Sequence, residues 1–394
     1  MTVAVPEVVR SHFTDDEVRR LVALRRDLHA HPEVAWQEHR TQQRLEEALR
    51  KIGFTDIQRV ADTGLVVRVP GQTPGAPVIA LRGDIDALPI HEATGLPFAS
   101  QNPGVMHACG HDVHASWAVG AAMLLKRHPA AGDVLVVLQP AEEVGAGAAR
   151  VLESGVLRGV RAIFGAHVDR RFVVGQAVAQ EGPLAASSDA FTISLKGAGA
   201  HGARPNESAD PVVALAALVT ALQTIVSRRL DPALPGVVTV GMVQAGSAPN
   251  IIPESASLRG TVRATTPESR TLIVGEVARL AASIATAYRC EAAVEWGHGT
   301  PPVVNSTDGA RWAADAAARV LGNDAVVPLG TTNMGAEDFA YYLEQIPGCF
   351  LRIGAREPGG EHTAAHSPRF QPAEESLFIG AAVLAECART ASSA

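Results

Sequence analysis

Four cysteines in 394 residues, at positions 109, 290, 349 and 387, lie far apart with no pairing pattern. A disulfide-stapled fold is excluded, and a reduced, cytoplasmic chain is expected. Lysine is very scarce, and no Lys/Arg-rich run occurs. With a net charge of −7 the chain lacks the basic footprint that nucleic acid requires. No stretch reaches about 18 uncharged apolar residues, so no membrane-spanning helix is expected. The N-terminal region carries Glu7, Asp15 and Asp16 and has no apolar core of the kind a signal peptide needs. Internal repeats and low-complexity tracts are absent as well.

What is present is an ordinary globular composition, 47% hydrophobic and 19% charged, on a chain long enough for two domains. Thr14-Asp15-Asp16-Glu17 has the form of a capping box, and apolar residues follow it at helical spacing. A second helix is expected over 41–51, ending at Gly53. Short β-rich runs at 64–69, 78–81, 134–138 and 162–164, with helices at 113–126 and 145–152, predict an α/β sheet covered on both faces. The texture changes near 187. Strands at 190–195, 237–243, 255–264 and 291–296 and helices at 211–229 and 267–288 predict a separate α+β layer of four strands and two helices. Beyond about 300 the α/β pattern returns, with a helix at 307–321, an apolar run at 349–353 and a closing helix at 373–389. The expected organisation is a catalytic domain formed by 1–186 and 299–394, interrupted by an insert at 187–298.

Residues 106–114, Met-His-Ala-Cys-Gly-His-Asp-Val-His, place three imidazoles, a thiol and a carboxylate in one short run. Cys and His are the ligand set of zinc and other late transition metals. Other polar residues fall where strands end: Asp84 and Asp86 after 78–81, Glu142 and Glu143 after 134–138, His167 after 162–164. Ligands in open α/β sheets gather at such carboxyl ends. His362 and His366, in a loop before Ser367-Pro368, could close the site. Two metals need about six contacts. Cys109, His111, Glu143, His167 and His366 supply five residues, and one bridging ligand makes six. Glu142, beside them, can act as a general base toward an attacking water. Asp84, Asp86 and Asp112 are candidates to orient imidazoles.

Taken singly, each residue has a plainer explanation. A lone His after a strand is more often satisfied or exposed, Cys109 a small buried hydrophobe, and Glu142-Glu143 a solvated pair at a helix start. The joint pattern carries the metal reading. Arg25, Asp27, His29, His31 and Glu33, at a helix end, read as structural, and His91, His128 and His298 as surface residues. Gly197–Gly202 spells G-x-G-x-x-G, but Ala203-Arg204-Pro205 follows where a helix should open, so dinucleotide binding is rejected. Three other readings stay open. One is Cys109 as nucleophile with His111 or His114 as base. The others are exopeptidase action on dipeptides and a catalytically silent metal-binding protein.

The segments Arg26-Asp27-Leu28-His29-Ala30-His31-Pro32-Glu33, Arg82-Gly83-Asp84-Ile85-Asp86-Ala87-Leu88-Pro89, His107-Ala108-Cys109-Gly110-His111-Asp112, Pro140-Ala141-Glu142-Glu143 and Gly335-Ala336-Glu337-Asp338-Phe339 resemble the amidohydrolase branch of the aminoacylase/carboxypeptidase metallohydrolases. That branch includes hippurate hydrolases, N-acyl-amino-acid amidohydrolases and auxin-conjugate hydrolases. The resemblance spans about residues 20–380. It implies a zinc-peptidase-like α/β catalytic domain with an inserted α+β lid, the lid often being the dimerisation surface. It implies two divalent metals, Zn2+ or Mn2+, on Cys109, His111, Glu143, His167 and His366. Glu142 would be the general base and Asp86 the carboxylate supporting the metals. His201 corresponds to a His that polarises the scissile carbonyl, and Asn250 and Arg263 to positions that grip the substrate. The implied reaction is hydrolysis of N-acyl amino acids, small-molecule linear amides, to a carboxylic acid and a free amino acid. Relatives commonly carry a His after the lid-motif proline, where this chain has Asn206.

Overall fold

Strand-length hydrophobic runs alternate with helices along the first half of the chain. In the computed structural model, which describes residues 5–394, they assemble into one mixed sheet of seven strands. These are β1 (Ile57–Val60), β2 (Gly64–Val69), β3 (Val78–Asp84), β4 (Val134–Gln139), β5 (Val160–Val173), β6 (Ala177–Val178) and β7 (Gly348–Arg356). Their order across the sheet is β1-β2-β4-β3-β5-β7-β6. The centre, β4-β3-β5-β7, is parallel, and both edges are antiparallel. Every residue of β4 is buried. Burial on both faces explains why these strands read as continuous apolar runs.

Helices cover the sheet. Asp15–Ala30 opens on the expected capping box: the Glu17 N–H donates to Thr14 Oγ1, and the Thr14 N–H donates to Glu17 Oε2 at 2.8 Å. His39–Ile52 ends at Gly53, whose φ of 92° is the left-handed C-cap glycine reaches without strain. His111–Arg127 and Ser376–Ser393 pack together, and both are buried nearly throughout. At their contact a Cβ on Gly380 would sit 2.1 Å from the Trp117 ring, so only glycine allows that approach. These helices are buried on nearly every face because they form the core rather than a surface.

Two compact units divide the chain. One comprises residues 5–182, Asn305–Gly330 and Asp338–Ala394, the other Pro183–Val304 and Thr331–Glu337. The second unit has its own core and a four-stranded antiparallel sheet, in the order Gly236–Ala245, Ser255–Ala264, Asp189–Lys196, Glu291–Trp296. Helices Pro211–Leu222 and Pro267–Ala287 pack on it.

Two local expectations need correction. The helix expected over 211–229 is α-helical only to Leu222. Residues Ile225–Arg229 form a π turn, with the Leu230 N–H donating to Ile225 O at 3.0 Å. The wider turn leaves Ile225 fully buried, a choice that apolar spacing does not encode. Strand β5 does not stop at 164 but continues through His167, because β7 pairs with it as far as Asp169 and again at Val173. His167 is therefore a mid-strand residue. All four cysteines are free and buried. Among the described residues no helix is long and apolar enough to cross a membrane.

Candidate metal centre

Cys109 and His111 are aimed by a glycine. Gly110 has φ 94° and forms the N-cap of His111–Arg127. A Cβ there would meet Val168 at 2.5 Å, so both conformation and space require glycine. His111 is the first residue of that helix and is fully buried. Its Nδ1 faces Asp86 Oδ1 at 3.3 Å, while Asp86 Oδ2 accepts the Glu143 N–H at 3.0 Å. Asp86 thus ties the imidazole of one cluster to the backbone of another. The opposite ring nitrogen, His111 Nε2, lies 3.8 Å from Glu143 Oε1 and 3.9 Å from Glu142 Oε2.

His167 enters from β5. Its Nδ1 lies 2.7 Å from Val168 O. A carbonyl only accepts, so Nδ1 carries the proton and Nε2 presents a lone pair. That Nε2 lies 3.2 Å from Cys109 Sγ. His366 Nε2 is 3.5 Å from Glu143 Oε2. His366 adopts φ 65°, and its N–H donates to Ala108 O at 2.8 Å, joining its loop to the Cys109 segment. Among the described residues, candidate donor atoms fall into five triads within 4.8 Å: Cys109/His111/His167, Cys109/Glu143/His366 and His111/Glu142/Glu143 join the expected ligands, and Asp84/His111/His114 and Glu142/Glu337/Asp338 flank them. All five residues expected as ligands are brought together, with Glu142 beside them.

The donor set suits a divalent metal. Ligands bound to one zinc at about 2.0–2.3 Å stand roughly 3.3–3.8 Å apart when tetrahedral, close to the 3.2, 3.5 and 3.8 Å observed. His111 Nε2 and Glu143 Oε1 are buried and make no hydrogen bond among the described residues. Buried polar atoms are otherwise nearly always paired, and a cation between them supplies the partner. Electrostatics point the same way. Burial, with Asp86 and Asp84 close by, pushes the Glu143 carboxyl up to about 7 in spite of His111. Although burial opposes its charge, Asp84 and Asp86 draw His111 well above the usual imidazole range.

The remaining residues of the two motifs are supports. His114 Nδ1 bonds Asp84 Oδ1 at 2.7 Å, and its Nε2 accepts the Val168 N–H at 3.0 Å. Both nitrogens are committed, which removes His114 as a base. Against the penalty of burial, Arg82, His111 and His114 hold Asp84 well below the carboxylate range. Arg82 is itself fully buried and also binds Gln139 at 2.8 Å and Asp338 at 3.0 Å. Asp112 serves a different imidazole, His29, at 2.8 Å, and Arg25 lies 2.8 Å from the same carboxylate. The Arg25–Glu33 cluster is therefore structural: Asp27 pairs with Arg40 and Arg44, and Glu33 accepts the N–H groups of Arg40 and Thr41. His91, His128 and His298 are exposed.

His201, Asn250 and Arg263 belong to the second unit. His201 and Asn250 are exposed neighbours: His201 pairs with Ile251 across a two-residue ladder, and the Gly202 N–H donates to Asn250 O at 2.8 Å. His201 Nδ1 accepts the Ala203 N–H at 3.1 Å, so the neutral ring carries its proton on Nε2. Arg263 is half-buried in Ser255–Ala264. Residues that sequence reasoning missed include Glu38, whose buried carboxylate accepts the Ala141 N–H at 2.9 Å; nothing in its local pattern marks it. Asp338, in the Gly335–Phe339 segment, is another. Its N–H donates to Glu142 Oε1 at 3.4 Å.

The family model for peptidase family M20/M25/M40 matches residues 80–390. The chain is 43% identical over 373 residues to N-acetylcysteine deacetylase of Bacillus subtilis, covering 94% of this chain and 96% of that one. It is 37% identical over 375 residues to IAA-amino acid hydrolase ILR1-like 4 of Arabidopsis thaliana, covering 93% and 84%. Among solved structures, a Bacillus subtilis protein described as a dinuclear metal-binding peptidase of the M20 family superposes with TM-score 0.84 at 38% identity, covering 95% of this chain and 98% of that one.

Proposed function

The chain belongs to peptidase family M20/M25/M40, and from that premise we propose that it is a metal-dependent amidohydrolase that cleaves N-acyl amino acids. Water and acyl-NH-CHR-COO⁻ give a carboxylic acid and a free amino acid. The observation that carries this reading is the convergence of Cys109, His111, Glu143, His167 and His366 in overlapping triads beside Glu142. Relatives named for N-acetylcysteine and indole-acetyl amino acids support the substrate class.

Two divalent cations, Zn2+ or Mn2+, would be held by these five side chains, with Cys109 common to two triads. When bound they supply Lewis acidity, polarising an amide carbonyl and acidifying a water. Glu142, at the edge of the cluster and 9% exposed, takes the proton from the attacking water and passes it to the leaving nitrogen. Asp86 holds His111 and the Glu143 backbone in register. In the insert, His201 would donate its Nε2–H to the developing oxyanion. Asn250 would hold the substrate, and Arg263 would clamp its carboxylate through the guanidinium fork. We further assign to the insert the roles of lid and homodimer surface, and to the protein a cytoplasmic location suited to four free thiols.

The test is a panel of N-acetyl, N-benzoyl and indole-acyl amino acids, with dipeptides included, assayed before and after chelation and with Glu142→Ala. Hydrolysis lost on chelation and restored by metal, with Glu142→Ala inactive at full metal content, is the expected result. Activity unchanged after complete metal removal rejects the assignment. A preference for dipeptides would make the enzyme an exopeptidase on the same site.

A further inference from the structure

The residue that precedes the two active-site glutamates is strained. Ala141 has φ 54° and is fully buried. Left-handed backbone is unfavourable for a residue with a Cβ and persists only where its surroundings enforce it. The Ala141 N–H donates to Glu38 Oε1 at 2.9 Å. The other oxygen, Glu38 Oε2, accepts the Thr63 hydroxyl at 2.6 Å. Glu38 and Thr63 are both fully buried.

Glu38 stands at the entry of His39–Ile52, where a side chain would ordinarily cap the helix, yet it makes no capping bond. Glu33 performs that task, which leaves the Glu38 carboxylate to Thr63 and Ala141. The rest of the loop is tied in the same way. Asp86 accepts the Glu143 N–H, Asp338 Oδ2 accepts the Ala148 N–H at 2.9 Å, and Ala141 O accepts the Gly147 N–H at 3.1 Å. Glu38 is the carboxylate placed at the strained residue itself. A hydrogen bond to an ionised acceptor is among the stronger ones available.

We propose that Glu38 is a positioning residue for catalysis: by accepting the Ala141 N–H it holds the left-handed turn that aims Glu142 and Glu143 at the metal centre. This rests on the roles given above to those two glutamates. A purely structural alternative exists, in which Glu38 only anchors the β1–β2 turn through Thr63.

Three variants separate them. Glu38→Met keeps the volume and deletes both acceptors. Glu38→Gln keeps an oxygen for Ala141 and offers its amide N–H to Thr63. Ala141→Gly, placed in the Glu38→Met background, removes the conformational penalty of the turn. The readouts are kcat and KM on the best N-acyl amino acid of the panel, and Zn2+ affinity of the metal-free protein by chelator competition. For Glu38→Met, kcat and Zn2+ affinity should each fall about 10–100-fold, the range for outer-shell partners of metal ligands, with KM little changed. Glu38→Gln should stay near wild type, and Ala141→Gly should restore much of both quantities to Glu38→Met. Glu38→Met that melts earlier but keeps kcat and Zn2+ affinity, or an Ala141→Gly that restores neither, overturns the proposal. If the wild type cleaves nothing on the panel, the amidohydrolase reading fails separately, and the Zn2+ affinities still decide the role of Glu38.

Discussion

Cys109 Sγ lies 3.2 Å from His167 Nε2 across 58 positions of sequence. Each partner is fixed independently, the thiol by the left-handed Gly110 and the imidazole by its Nδ1–H bond to Val168 O. The pair could serve as a nucleophile with a base or as two ligands. A nucleophilic cysteine needs a lowered pKa, whereas burial, aided by Glu143, pushes this thiol far up. Binding to a cation reverses that penalty.

Cys109→Ala should therefore weaken Zn2+ binding by at least the ~10–100-fold typical of an outer-shell loss, with folding retained. Chelator competition measures it. In metal-free protein at pH 7, Cys109 should react with iodoacetamide more slowly than a free thiol. Rapid alkylation with unaltered Zn2+ affinity in the alanine variant would return Cys109 to the nucleophile reading.

Arg82 neutralises two buried carboxylates, Asp84 and Asp338, with no exposure of its own. Arg82→Ala would leave uncompensated charge in the core, at a cost of about 3–5 kcal/mol. Urea denaturation should show this loss. Arg82→Met with Asp84→Asn should recover part of it, because one buried carboxylate, Asp338, then loses its cation instead of two. A loss below about 1 kcal/mol for Arg82→Ala would mean that the network is solvated.

His107 is buried, and neither ring nitrogen has a hydrogen-bond partner among the described residues. Burial lowers it from 6.5 to about 4. Between those values the unfolded chain binds the proton and the folded chain does not, so stability falls as pH drops from 6.5 toward 4. The full effect is about 3 kcal/mol at 1.36 kcal/mol per unit. His107→Phe cannot take up a proton and should lose correspondingly less stability over that window. Denaturation curves at pH 7 and pH 4.5 compare them, and equal losses in the two proteins would refute the assignment.

Much of the fold was legible because its signals are local. The capping box at Thr14, the glycine stop at Gly53 and the run of β4 each depend on neighbours in sequence. The π turn after Leu222 and the continuation of β5 through His167 were not, since both are set by packing against distant residues. The five candidate donors were legible as a group by residue type and order. Glu38 was invisible, because a lone glutamate before a helix looks the same whether it caps that helix or reaches across to Ala141.

Residues 107, 111 and 114 make the division plain. Sequence alone determined that three imidazoles, a thiol and nearby carboxylates would meet at one end of an α/β sheet, because donor chemistry and strand ends are written in residue type and spacing. The tertiary structure decided what each imidazole does. His111 turns an unbonded nitrogen to the donor cluster, His114 gives both nitrogens to Asp84 and Val168, and His107 is enclosed without a partner. The physical reason is that a ring's available lone pair depends on which atoms surround it, and those atoms come from strands and loops far along the chain.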